Sequence, residues 1–180
     1  MKNPFDNSKF HYRSVIEKLN YLEKNICPDI AYAVHQLAIF SSDPKKSHGE
    51  AAIHLIKYLF GTREKGIVFQ PNPKHDLNTY VDADFCGNCD RLTAEEDIST
   101  SKTRSGYFIL FADCLLYWSS KLQTSIAPST TEAEYVALSN SCCEVIPIMS
   151  IMQELNEQRW GFPTSSPRVH CRVFEDSAEA

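Results

Sequence analysis

The period of the hydrophobic pattern changes once along this chain, and that change limits the folds open to it. Up to about residue 60 the apolar residues recur at helical spacing. Residues 11–25 place Tyr12, Val15, Ile16, Leu19 and Leu22 on one side of a helix. Cys27-Pro28 breaks that run. Pro28-Asp29 suits the first turn of a second helix, whose stripe is Ile30, Val34, Leu37 and Ala38. Residues 41–49 read as a loop. A third stripe follows at Ala52, Leu55, Ile56 and Leu59, with Gly61 as its C-cap. KGIVFQP then reads as a short strand and PNPKHD as a linker.

Beyond the linker the spacing suits strands. Residues 79–85 form one, 105–112 a second and 114–122 a third, with Asp113 as the turn of a hairpin between the last two. Residues 95–100 are a polar loop. A helical pattern runs from about 129 to 158, with Ser129 as N-cap and Glu132 completing a capping box. Pro147 lies inside it and is expected to kink or split it. Residues 169–176, VHCRVFED, read as a fourth strand. A hairpin, a crossover helix and a returning strand predict an α/β fold, a mixed sheet with that helix on one face. The organisation expected is a helical segment over 1–75 and a sheet domain over 76–180.

Composition narrows the function classes. A hydrophobic fraction of 43% is enough for packed cores and argues against disorder. Seven scattered cysteines suit reduced thiols rather than a disulfide framework. No basic N-terminal region leads into an apolar run, and no run approaches the ~18 apolar residues of a membrane span. Residues 1–75 carry 11 Lys+Arg against 7 Asp+Glu, net +4, and residues 76–180 carry 7 against 16, net −9. The acidic half suits a phosphate-bearing ligand only with help from local basic residues and bound cations.

The acidic residues themselves suggest those cations. In TYVDADFCGN, strand alternation sends Val81, Ala83 and Phe85 to one face and Asp82 and Asp84 to the other, roughly 7 Å apart. Glu134 begins the helical stripe Glu134, Leu138, Val145, Ile148, Met152, Leu155, so it is expected to face the sheet. Asp176 ends the fourth strand, and ligands of open α/β sheets gather at the carboxyl ends of strands. Three carboxylates on two strands and a helix call for hard cations. Oxygen-only ligation favours Mg²⁺ or Mn²⁺ over zinc, as in a two-metal phosphodiester hydrolase. Cys86 and Cys89 form a C-x-x-C pair, but no second pair follows to complete a zinc site. His48 and His54 are expected to pack or cap.

These residues carry a resemblance. The stretch YVDADFCGN, continued by TSKTRSGYFILFADCLLYWSSKLQTSIAPSTTEAEYVALSNS, closely resembles the ribonuclease H domain of Ty1/copia-type retrotransposon polyproteins. The stretch from Tyr12 to Phe69 resembles the segment preceding it, the reverse transcriptase thumb and connection. PDIAYAV, P-x3-H, YL-x-GT, DADF, SGY, W-SSK-x-Q and STTEAEY occur in the family's order. The resemblance implies a ribonuclease H-like mixed sheet, truncated at its C-terminus and preceded by a small helical segment. It implies that Asp82, Glu134 and Asp176 are catalytic and hold Mg²⁺ or Mn²⁺, with Asp84 supporting them. Asp176 is followed here by Ser177-Ala178, a departure from the family's motif. The reaction implied is hydrolysis of the RNA strand of an RNA–DNA hybrid. One ion would activate water and the other would steady the leaving 3′-oxygen. Lys121 and Gln123 are expected to contact the hybrid backbone. The family's fourth acidic ligand lies past Ala180 and its polymerase palm lies upstream. A fragment of weakened activity is therefore expected, with the rest of the reverse transcriptase polyprotein as partner. It is expected in a cytoplasmic virus-like particle or the nucleus, neither secreted nor in a membrane. The alternative is a catalytically inactive remnant that acts at most as an interaction or nucleic-acid-binding module.

Overall fold

The computed structural model describes residues 10–72, 77–87, 101–158 and 169–175. The chain divides into two compact units, 1–67 and 68–180, so the boundary falls before the expected 75/76.

The first unit is helical. Helix α1 (Tyr12–Asn25) is followed by a 3-10 turn (Pro28–Ile30), α2 (Ala31–Ala38) and α3 (Lys46–Thr62). Tyr12, Ile16 and Leu19 of α1 meet Ile30, Val34, Leu37, Ala52 and Leu55 in one core, as the helical stripes require. The Tyr12 hydroxyl donates to the Leu37 carbonyl at 2.9 Å, which gives that buried phenol its partner. His48 caps α3: its Nδ1 accepts the Lys45 N–H at 3.1 Å, and its ring stacks on Phe40. Gly61 is not the C-cap. The helix continues to Thr62, whose Oγ1 donates to the Tyr58 carbonyl, and Arg63 ends it in right-handed geometry. Residues 65–72 form no strand. No described strand pairs with them, and Val68 is 81% exposed.

The second unit is a mixed four-stranded sheet with strands β1 (Leu77–Asp84), β2 (Arg104–Phe111), β3 (Cys114–Leu122) and β4 (Cys171–Phe174) in the order β3-β2-β1-β4. β1 pairs antiparallel with β2 and parallel with β4. The β2–β3 hairpin turns on Ala112 and Asp113, both left-handed at φ 50° and 65°. Positive φ at both turn residues is what the right-handed twist of the flanking strands demands. Asn72 braces the tip: its N–H donates to the Ala112 carbonyl at 2.9 Å and its amide to the Asp113 carboxylate at 3.2 Å.

Helix α4 (Thr130–Glu157) covers one sheet face. Ser129 caps it by accepting the Glu132 N–H at 3.1 Å. Ala133 and Ala137 pack on Val81, Ala83 and Tyr107. Val145 and Met152 pack on Leu77 and Ile109. Small residues near its start let the helix sit close to the sheet. Pro147 does not split α4, which runs through it unbroken. By length and composition α4 is also apolar enough to cross a membrane, against the sequence expectation. Its buried residues are nonetheless those seated on the sheet, as in the core helix of an α/β domain.

Candidate functional site

β1 is an interior strand of the sheet, and its burial alternates through Tyr80, Val81, Asp82, Ala83 and Asp84. Val81 and Ala83 face α4, so Tyr80, Asp82 and Asp84 project from the open face. The expected grouping of the two aspartates on one face is what the structure shows.

Register fixes their neighbours. Asp82 lies opposite Gly106 on β2, and Gly106 lies opposite Ser120 on β3. Asp84 lies opposite Arg104, whose Nη1 donates to the Ser120 carbonyl at 3.3 Å and approaches its hydroxyl at 3.5 Å. On the other side of Asp82 a row of aromatic residues crosses all four strands: Trp118, Phe108, Tyr80 and Phe174 are paired in turn. The Tyr80 ring stacks on Phe108 and on Phe174 with centroids 4.8 Å apart in each case. That distance is the strand spacing, so the rings stand upright and turn their edges outward. Arg104, Gly106 and Ser120 were not singled out from sequence. The signal available was parity within RSGY, which puts Arg104 and Gly106 on one face. Nothing in the sequence set those residues opposite Asp82 and Asp84.

Asp84 has a local role as well. Its carboxylate folds against Gly87 in the turn after β1, where an added Cβ would overlap it. Cys86 sits in this turn at φ 51° and donates from Sγ to the Ser101 carbonyl at 3.1 Å. Cys89 lies outside the described residues, and among the described residues no cluster of His, Cys, Asp and Glu forms a metal site.

Glu134 is buried on α4, next to Ala133, on the covered side of the sheet. Glu134 follows Ala133, which packs with Val81 and Ala83, the residues on either side of Asp82. The described β1–β4 ladder ends at Tyr80–Phe174, while β1 runs on to Asp84. Asp176 lies outside the described residues.

The two residues expected at the hybrid backbone do not accompany Asp82. Lys121 is exposed but pairs with Ser105, which puts it on the α4 side. Gln123 is engaged inside the fold. It is 3% exposed, and its Nε2 donates to the Ser105 hydroxyl at 3.0 Å and the Ala133 carbonyl at 2.9 Å. That amide ties the first turn of α4 to β2.

Sequence comparison fixes the family. The chain is 33% identical over 160 residues to the retrovirus-related Pol polyprotein from transposon RE1 of Arabidopsis thaliana, across 89% of this chain. It is 36% identical over 148 residues to that from transposon TNT 1-94 of Nicotiana tabacum, across 82% of this chain. It belongs to the retrovirus-related transposon Pol polyproteins. The chain spans about 10% of the length of either relative. It is also 33% identical over 135 residues to secreted RxLR effector protein 161 of Plasmopara viticola, across 75% of this chain and 89% of that protein. No family model matches the chain, and no solved structure does.

Proposed function

We propose that the sheet unit is the ribonuclease H-like centre of a Ty1/copia-type Pol polyprotein, hydrolysing the RNA strand of RNA–DNA hybrids. One observation carries the reading: Asp82 is exposed on an interior strand, just past the last described pair between β1 and its parallel neighbour β4. Ligands of open α/β sheets gather at the carboxyl ends of strands, and Asp82 lies toward that end of β1. Glu134 approaches that end from the first turns of α4. Asp176 follows Phe174 by two residues, as Asp82 follows Tyr80, and Phe174 pairs with Tyr80.

The donor set fits a hard divalent cation. It consists of carboxylates alone, and Asp82 is open to a ligand. Mg²⁺ or Mn²⁺ held by Asp82, Glu134 and Asp176 would supply Lewis acidity and a nucleophile of lowered pKa. Asp82 supplies an acceptor at the strand end. Glu134 is buried on α4. The partners proposed are the hybrid and the remainder of the polyprotein, within a cytoplasmic particle or the nucleus.

The test is cleavage of a labelled RNA–DNA hybrid in Mg²⁺ by this chain and by Asp82→Asn. Cleavage by the wild type that Asp82→Asn abolishes is the expected result. Hybrid that stays intact under both removes the reading. The second reading, an inactive remnant serving as an interaction module, is favoured by one observation: a relative bearing an effector's name matches this chain over most of its own length.

A further inference from the structure

In the helical unit, α2 and α3 pack over Ile30, Leu37 and Leu55 but leave a hollow of about 600 Å³ above them. Ala33 of α2 and Ala51 of α3 line it. Larger aliphatic residues at those two positions would fill the space, and an unfilled apolar gap costs stability. Folding alone therefore gives no reason for two alanines here. The size and the apolar floor are those of a binding site.

A second hollow of about 330 Å³ continues the first, and Asp29 and Tyr58 line both. The Tyr58 hydroxyl donates to the Asp29 carboxylate at 2.5 Å where the two hollows meet. Ile26, 58% exposed, and Ile67 extend the apolar lining beyond that point. From Ala51 to Thr62 the groove follows α3 for about 16 Å, or roughly three helical turns.

The far end is cationic. Arg63 and Lys65 line it, and both are exposed. Arg63 meets Glu64 only in a solvated surface pair, and Lys65 has no acidic partner among the described residues. The one carboxylate of the groove, Asp29, already accepts the Tyr58 hydroxyl. At the other end the Gln36 amide nitrogen is buried without a hydrogen-bond partner among the described residues. The complement of this surface is apolar along its length and acidic where it passes Arg63 and Lys65. A nucleic acid is a poor match, because its backbone is charged throughout and would lie over Ile30, Leu37 and Leu55. A helix laid in an apolar groove is a good one, since its anchors recur every third or fourth residue.

We propose that this groove binds an acidic amphipathic helix of a partner protein, with apolar side chains set over Leu37 and Leu55 and carboxylates beside Arg63 and Lys65. The site lies wholly in the helical unit and is independent of the nuclease reading.

The experiment selects a displayed library of peptide helices of about three turns on the full wild-type chain. A selected peptide, labelled with fluorescein, is then titrated by anisotropy with wild type, Ala51→Trp and Lys65→Glu, each checked by thermal unfolding. Ala51 is exposed, so tryptophan there fills the groove from its rim. Selected peptides are expected to carry apolar residues at i, i+4 and i+7 and an excess of Asp and Glu. Both variants should bind at least about tenfold more weakly. Should Ala51→Trp fail to fold, the surface charge reversal Lys65→Glu carries the test on its own. No enrichment, enrichment of basic peptides, or binding that both folded variants retain in full overturns the proposal. An RNA–DNA hybrid that binds wild type and is lost on Ala51→Trp would make the groove a nucleic-acid surface and overturn it too.

Discussion

Gln123 shows how one side chain can look functional in a motif and be structural in the fold. Its amide spans two buried acceptors, one on β2 and one in the first turn of α4. Gln123→Ala strands both, which costs about 1–3 kcal/mol. We expect a matching loss in chemical denaturation. Any change in hybrid binding should follow the folded fraction and nothing more. Ala112 makes the opposite case. A non-glycine residue at φ 50° is strained, so Ala112→Gly should stabilise by up to about 1 kcal/mol in the same measurement. Asp82 and Asp84 divide their roles. Asp82 is free to meet a ligand, whereas Asp84 leans into its own turn against Gly87. The alternation that put both on one face was legible in the sequence because a strand's period is two. The contact with Gly87 was not, because it depends on how the chain reverses after the strand.

Among the elements, α4 holds the sheet unit together, and Pro147 is its weak point. A proline inside a helix removes a backbone hydrogen bond and crowds the preceding turn. The helix nevertheless stays continuous, because Val145 and Met152 on either side are anchored in the sheet's core. Pro147→Ala should therefore raise the melting temperature, with a gain of up to about 3 kcal/mol. Helix α3 carries a pH response. Burial, with the Lys45 ammonium nearby, holds the His48 imidazole below its ordinary value. Neutral His48 accepts the capping N–H. A lowered folded value means that the unfolded chain takes up the proton first. The stabilisation is thus fully present above about pH 6.5, the unfolded value, and is lost as pH falls through the folded one. We expect thermal stability of the wild type to fall on acidification below that point more steeply than that of His48→Gln.

Taken whole, the molecule has two units, each with its own hydrophobic clusters: one in the helical unit and two beneath α4. The proposed cation adds a global observable. A ligand that binds only the folded state stabilises it by RT ln(1 + [L]/Kd), about 2.7 kcal/mol at a hundredfold excess over Kd. Mg²⁺ should raise the melting temperature of the wild type, and Asp82→Asn should remove that dependence. A wild type insensitive to both Mg²⁺ and Mn²⁺ would count against cation binding at these carboxylates. By itself the sequence determined the three helices of the first unit, the hairpin, the capped long helix and the returning strand, though it also suggested a strand at KGIVFQP that the structure lacks. Each of these follows from local periodicity and local hydrogen bonding. Only the tertiary structure decided which face α4 covers, and that choice put Lys121 on the far side from Asp82 and Gln123 in the interior. It also set the registers that bring Gly106, Ser120 and Arg104 beside the aspartates. Periodicity says which residues share a face. It carries no information on which face is covered, or on what stands opposite across a strand pair, because those depend on packing between residues distant in the chain.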